Sequence, residues 1–174
     1  MADIDGPGGR QLFYGKYRGV VVDNDDDQRR GRLRVRVPAV LGELEVWALP
    51  CVPYAGRQRG LYAIPDVDTG VWVEFEAGHP SYPIWTGCFW AEGDLEESES
   101  RPSLKWLRTA TFTLRVDDES GEVTLENDGG TQIVLTTTDL TLKSSTVLAE
   151  ATAGRKIRLA AAAVSVNDGA LEVT

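Results

Sequence analysis

The residues of this chain best suited to chemistry are its carboxylates, which gather in two runs: Asp23, Asp25, Asp26 and Asp27, and the stretch from Asp94 to Glu99. Carboxylate pairs hydrolyse glycosides when burial keeps one member protonated beside an ionised partner. Both runs lie in polar, turn-forming sequence, where carboxylates are expected to be solvated and unperturbed. The single histidine, His79, stands in a Gly-His-Pro turn, and no nucleophile–base motif accompanies it. No catalytic residue is therefore assigned, and the chain reads as a non-enzyme. The first acidic run lacks the spaced Asp/Asn–Gly–Glu loop of a Ca²⁺ site, so no metal or cofactor is expected. Cys51 and Cys88 each sit in an apolar, aromatic-rich segment and read as two buried, reduced thiols. Trp72, Trp85 and Trp90 read as core or interface packing rather than as a stacking platform.

A formal charge of −9 over 174 residues disfavours general binding to nucleic acids or anionic membranes, which need a basic surface to displace counterions. The expected partners are proteins. The sequence opens without the basic and apolar regions of a secretory signal, and no stretch approaches the roughly 18 apolar residues of a membrane span. Synthesis and assembly in the cytoplasm are the expectation.

Period-2 alternation recurs from end to end, which predicts an all-β fold. The first half offers five strands, Tyr17 to Val22, Leu33 to Val37, Val46 to Val52, Val71 to Glu76 and Ile84 to Phe89, a set that suits a small closed barrel. In the second of these, Leu33, Val35 and Val37 alternate with Arg32, Arg34 and Arg36, placing an apolar face inward and a guanidinium row outward. The three arginines are candidate contacts for a protein partner. The segment 91–105 loses its apolar residues and gains Glu, Asp and Pro, as an inter-module linker does. The expected division is an N-terminal arm 1–13, a barrel 14–90, the linker 91–105 and a second module 106–174.

That second module carries a repeat. Apolar residues two apart occur at Val123/Leu125, Ile133/Leu135, Leu140/Leu142, Val147/Ala149, Ile157/Leu159, Val164/Val166 and Leu171/Val173, and an offset of 24 superposes Val123 on Val147, Ile133 on Ile157, Leu140 on Val164 and Gly130 on Gly154. Units of this kind bury their apolar face only by stacking on neighbours. With two apolar residues per strand, one chain makes a poor core, and winding three chains about one axis corrects this. The reading is a trimeric β-prism with Val123, Leu125, Ile133, Leu135, Leu140, Leu142, Val147, Ile157, Leu159, Val164, Val166 and Leu171 in its interior. A single-chain β-solenoid or a sandwich is the competing arrangement.

The run PDVDTGVWVEFEAGHPSYPIWTGCFW, through Pro65, Gly70, Val73, Phe75, Gly78, Pro80, Pro83 and Gly87, resembles the barrel of the VgrG and phage baseplate assembly protein V family. Upstream, Gly19, Val20, Asp26, Gly31, Arg32, Val35 and Pro38 are similar to the opening of its oligonucleotide/oligosaccharide-binding (OB) barrel, and the stretch from Trp106 resembles the entry into a triple-stranded β-helix. The resemblance implies a homotrimeric central spike of a contractile injection system or phage tail, a rigid puncturing device that touches the target membrane only in transit. It implies a hub and an inner tube behind the barrel, with Arg32, Arg34 and Arg36 as candidate hub contacts. It also implies a PAAR-type tip protein over Leu171, Val173 and Thr174. The large hub domains of full-length VgrG proteins and the inserted lysozyme domain of some spikes have no counterpart here. The competing function is an OB-fold module that binds single-stranded nucleic acid or carbohydrate and carries a monomeric solenoid tail.

Overall fold

Alternation in the first half closes into a barrel. The computed structural model describes residues 11–151, 155–160, 163–167 and 170–173, and the chain forms two compact units with the break between Asp94 and Leu95. In the first unit, β1 (Tyr17–Asp23), β2 (Leu33–Arg36), β3 (Glu45–Pro50), the short hairpin β4 (Ala55–Gly56) and β5 (Arg59–Gly60), β6 (Gly70–Phe75) and β7 (Pro83–Cys88) follow one another. Five of them close in the order β1-β2-β3-β7-β6. All contacts are antiparallel except β3 against β7, where Leu49 lies opposite Ile84 and Pro50 opposite Trp85. Closure leaves no free edge in this sheet.

The core is what the period-2 pattern sends inward: Val21, Leu33, Val35, Val37, Ala48, Val71, Val73, Phe75 and Trp85. Phe13 extends it, its backbone N–H bonded to the Gly78 carbonyl and its ring against Phe75 and Tyr17. Gly70 begins β6 because nothing larger fits there: a Cβ would stand 2.7 Å from the Phe89 ring. Gly70→Ala is expected to push that ring off Trp72, against which it packs at 5.0 Å, and to destabilise the barrel by about 1–3 kcal/mol in urea titration, the usual range for overpacking. An unchanged midpoint would show that Phe89 moves freely.

Two local features escaped the pattern. Pro38–Leu41 forms a single helical turn, α1, begun by proline at its first position and ended by Gly42 at φ 57°. The hairpin β4–β5 turns through Arg57 and Gln58. Both thiols are corrected: Cys51 and Cys88 are unbridged and exposed, because each lies at or just beyond a strand end and not in the core. Trp85 is core, with its indole N–H donating to the Gly31 carbonyl at 3.1 Å, whereas Trp90 is exposed in a single chain.

The acidic turn also differs from expectation. Asp26 is not solvated: its side chain is 5% exposed and faces Arg32, which is 13% exposed. Its carboxylate accepts backbone N–H bonds from Gln28, Arg30 and Arg32 and two more from the Arg32 guanidinium, at 2.5–3.2 Å. The Arg32 bonds, reinforced by these amides, hold the carboxyl far below the usual carboxylate range. Its stabilising effect is thus complete above the unfolded value near ~3.9 and fades as pH falls through the depressed folded value. Asp26→Asn is expected to lower the thermal midpoint at neutral pH, with the gap to the parent closing on acidification below about pH 4. A gap that widens on acidification would contradict this.

The second unit is two antiparallel meanders: β8 (Leu104–Arg108), β9 (Phe112–Asp117), β10 (Glu122–Asn127), β11 (Gln132–Leu135) and β12 (Leu140–Lys143), then β13 (Thr146–Glu150), β14 (Lys156–Ala160), β15 (Val164–Val166) and β16 (Leu171–Val173). The 24-residue offset is visible in the loops. The Asn127 N–H bonds the Thr131 carbonyl at 3.1 Å and Ala151 bonds Arg155 at 2.8 Å; Thr136 bonds Asp139 at 2.9 Å and Ala160 bonds Ala163 at 3.1 Å. The period breaks once, since β15 pairs with β16 while their equivalents β12 and β13 belong to different sheets. Gly154 and Thr174 lie outside the described residues.

Candidate functional site

Side chains directly opposite each other in an antiparallel ladder share a face, so register decides which apolar residues meet. Across the first meander Leu107, Leu114, Leu125, Ile133 and Leu142 form one column, and Lys105, Val116, Val123, Leu135 and Leu140 form a second beside it. In the second meander Ala149, Ile157, Val166 and Leu171 make one column and Val147, Leu159, Val164 and Val173 the other. The twelve residues expected in a trimer interior therefore all stand in these columns, two on each of β10, β11, β12, β14 and β15 and one on each of β13 and β16, on one face of their sheet.

That face lacks cover within one chain. Of the twelve, Val123, Leu125, Val147 and Val166 are half-buried and the other eight are exposed, with Leu140 at 63%, Leu142 at 50% and Leu171 at 61%. Monomeric proteins rarely leave so long an apolar strip in water. Removing the remaining half of each exposed Leu, Ile or Val from water is worth about 1 kcal/mol apiece, which gives the strip a strong drive to meet its like.

The opposite face at the start of the meander is furnished instead. Arg108 grips Glu99 with two bonds of 2.6 Å, Arg115 adds a third at 2.8 Å, and the Trp106 indole N–H reaches the Glu99 carbonyl at 3.0 Å. Arg108 also lies over the Trp106 ring at 5.4 Å. Its bonds, ahead of the charge of Arg115, keep the Glu99 carboxyl below its ordinary range. Glu99 thus departs from the expectation of a solvated linker carboxylate. It pins residues 96–100 onto the polar side of the sheet and leaves the apolar side bare. Sequence reading missed it because its partners come from two later strands; the one available signal was three cations with a tryptophan soon after the acidic run.

The arginine row is mostly engaged within the barrel. Arg32 serves Asp26 and Asp27, Arg34 lies 2.8 Å from Glu45 and Arg36 lies 3.5 Å from Glu43. The last two remain at the surface. At the far end, Leu171 and Val173 are both 61% exposed. Among the described residues no set of three or more His, Cys, Asp or Glu side chains converges as a metal site, and no helix is long and apolar enough to cross a membrane.

Two family models match the chain in the order of its two units. Residues 17–90 match the type VI secretion system/phage-baseplate injector OB domain, which spans the closed barrel. Residues 105–172 match the phage baseplate V C-terminal trimerisation domain, which spans both apolar columns. No curated protein matches the chain. A closed five-stranded barrel and a bare apolar ladder account for most of the sequence, and within it residues 17–90 form a type VI secretion system/phage-baseplate injector OB domain and residues 105–172 a phage baseplate V C-terminal trimerisation domain.

Proposed function

We propose that this chain is the central spike of a contractile injection system or phage tail baseplate: a stiff trimer that joins the hub and inner tube to a tip and is driven through the target envelope when the sheath contracts. The observation that carries this reading is the pair of apolar columns exposed along the C-terminal sheets, in the stretch that matches a trimerisation domain. Three such faces closed on one another as a β-prism give a body whose backbone amides are paired and whose apolar residues touch two other chains, and such a body resists bending. Its role is mechanical, and no catalysis is assigned to it.

In this reading Arg34 and Arg36, with Arg32 behind them, face the hub, and Leu171, Val173 and Thr174 are the contacts for a PAAR-type tip, which covers strand-edge groups that would otherwise recruit further strands. Three copies carry a formal charge of −27, three times −9, which keeps a narrow β-body soluble. The test is electron microscopy of assembled particles carrying a gold-labelled tag at the C-terminus. The label is expected on the axis at the distal end of the baseplate; label at the periphery, or on no particle, would contradict the assignment.

A further inference from the structure

One cleft in the barrel unit is left unexplained by trimerisation through the ladder. It is open, about 530 Å³ in volume, and lies between the β4–β5 hairpin and the barrel. Its floor is apolar, with Pro50, Ile64 and the buried Trp85, and over it stand Tyr54 and Tyr62, 58% and 81% exposed. The hairpin is held in shape by Gly60, at φ 147°, where a Cβ would sit 2.7 Å from the Tyr54 carbonyl oxygen. Arg29, Arg30 and Arg59 line the rim. None of the three makes an ion pair among the described residues, although most other barrel arginines do. An aromatic slot ringed by uncompensated guanidinium groups fits an acidic segment with one apolar anchor.

The chain contains such a segment. In Asp94-Leu95-Glu96-Glu97 a half-buried leucine stands among carboxylates, and among the described residues neither Glu96 nor Glu97 forms a salt bridge, unlike Glu99 two residues on. We propose that in the trimer the cleft of one barrel receives the acidic segment 94–97 of a neighbouring copy, with Leu95 against Tyr54 and Tyr62 and the two glutamates on Arg29, Arg30 and Arg59. This rests on the trimeric reading above. The trimerisation domain begins eight residues beyond Glu97, so its closure gathers three clefts and three acidic segments, and the contact forms at the high effective concentration of a tethered pair. Each barrel is thereby tied to the next, so that axial force on one is shared by three.

The experiment uses the full chain with Gln58→Cys at the cleft and Ser98→Cys beside the segment, in a background of Cys51→Ser and Cys88→Ser, treated with a short bis-maleimide. Denaturing gels are expected to show two- and three-chain species; Arg59→Glu should reduce them several-fold, and adding Glu96→Arg should restore them. Light scattering of the same samples separates the two readings. A trimer that yields only single-chain bands, or bands indifferent to Arg59→Glu, overturns the proposal and leaves the spike intact, whereas a monomer overturns both. A labelled single-stranded oligothymidylate that binds at low salt and is released by Arg59→Glu would give the cleft to nucleic acid instead and overturn the proposal.

Discussion

Ile133→Asp combined with Leu159→Asp is expected to abolish the trimer while leaving the barrel folded. The two residues stand in different meanders, Ile133 between Leu125 and Leu142 and Leu159 between Val147 and Val164. In a single chain they are 38% and 47% exposed, so a carboxylate there is readily solvated while the chains are apart. In a closed prism the same carboxylate has no water and no cation opposite it. It must ionise against a burial penalty of several kcal/mol or take up a proton, and six copies face one interior. The chain mass in solution is therefore expected to fall to that of one subunit, with the barrel's near-ultraviolet tryptophan signal from the buried Trp85 retained. Leu148→Asp is the matched control, since Leu148 is equally exposed at 51% but its cross-strand neighbour is Arg158, on the other face. It should leave the trimer intact, and an equal loss from both variants would mean that the strip is not the interface.

Leu33→Ala is expected to produce the largest loss of stability in the barrel, about 2–5 kcal/mol. Leu33 is the largest of the fully buried side chains and lies on β2, between β1 and β3 in the closed sheet. Closed small barrels collapse poorly around a lost isobutyl group because every strand is fixed by two neighbours, so the cavity persists. The consequence is selective. Denaturant titration should show the barrel transition moving to lower urea while the transition of the C-terminal trimer stays where it was, since the two units are compact separately. A single shared transition that shifts as a whole would show that the units unfold together.

The parts of the fold legible in the sequence are those governed by strict alternation. Leu33, Val35 and Val37 against Arg32, Arg34 and Arg36 announce both strand and inner face, because a strand has only two sides. The apolar ladder was legible for the same reason, and its registers bring together the pairs that the repeat had marked. What stayed hidden depends on contacts between distant positions or on a few special backbone angles. Asp26 reads as one more solvated acid of a turn until Arg29 and Gly31 take positive φ and fold the chain so that three amides and Arg32 converge on its carboxylate. Glu99 looks like linker until Arg108 and Arg115 arrive from β8 and β9. The cleft was invisible because its apolar floor comes from β3, β7 and a loop, and its cations from the turn at Arg29 and Arg30 and from β5. Exposure in turn was overestimated for Asp26 and Glu99, while Asp25, Asp27, Glu96 and Glu97 are exposed as expected, and it was underestimated for the cysteines, since sequence neighbours say little about which distant groups a side chain meets.

The central claim is that three of these chains close their apolar ladders on one another, and the mass of the purified protein by light scattering tests it most directly. The account predicts a single species near 57 kDa, three times the 19.0 kDa chain, unchanged on dilution. A stable, folded species of 19.0 kDa would contradict it and return the chain to a lone OB barrel with a solitary sheet tail.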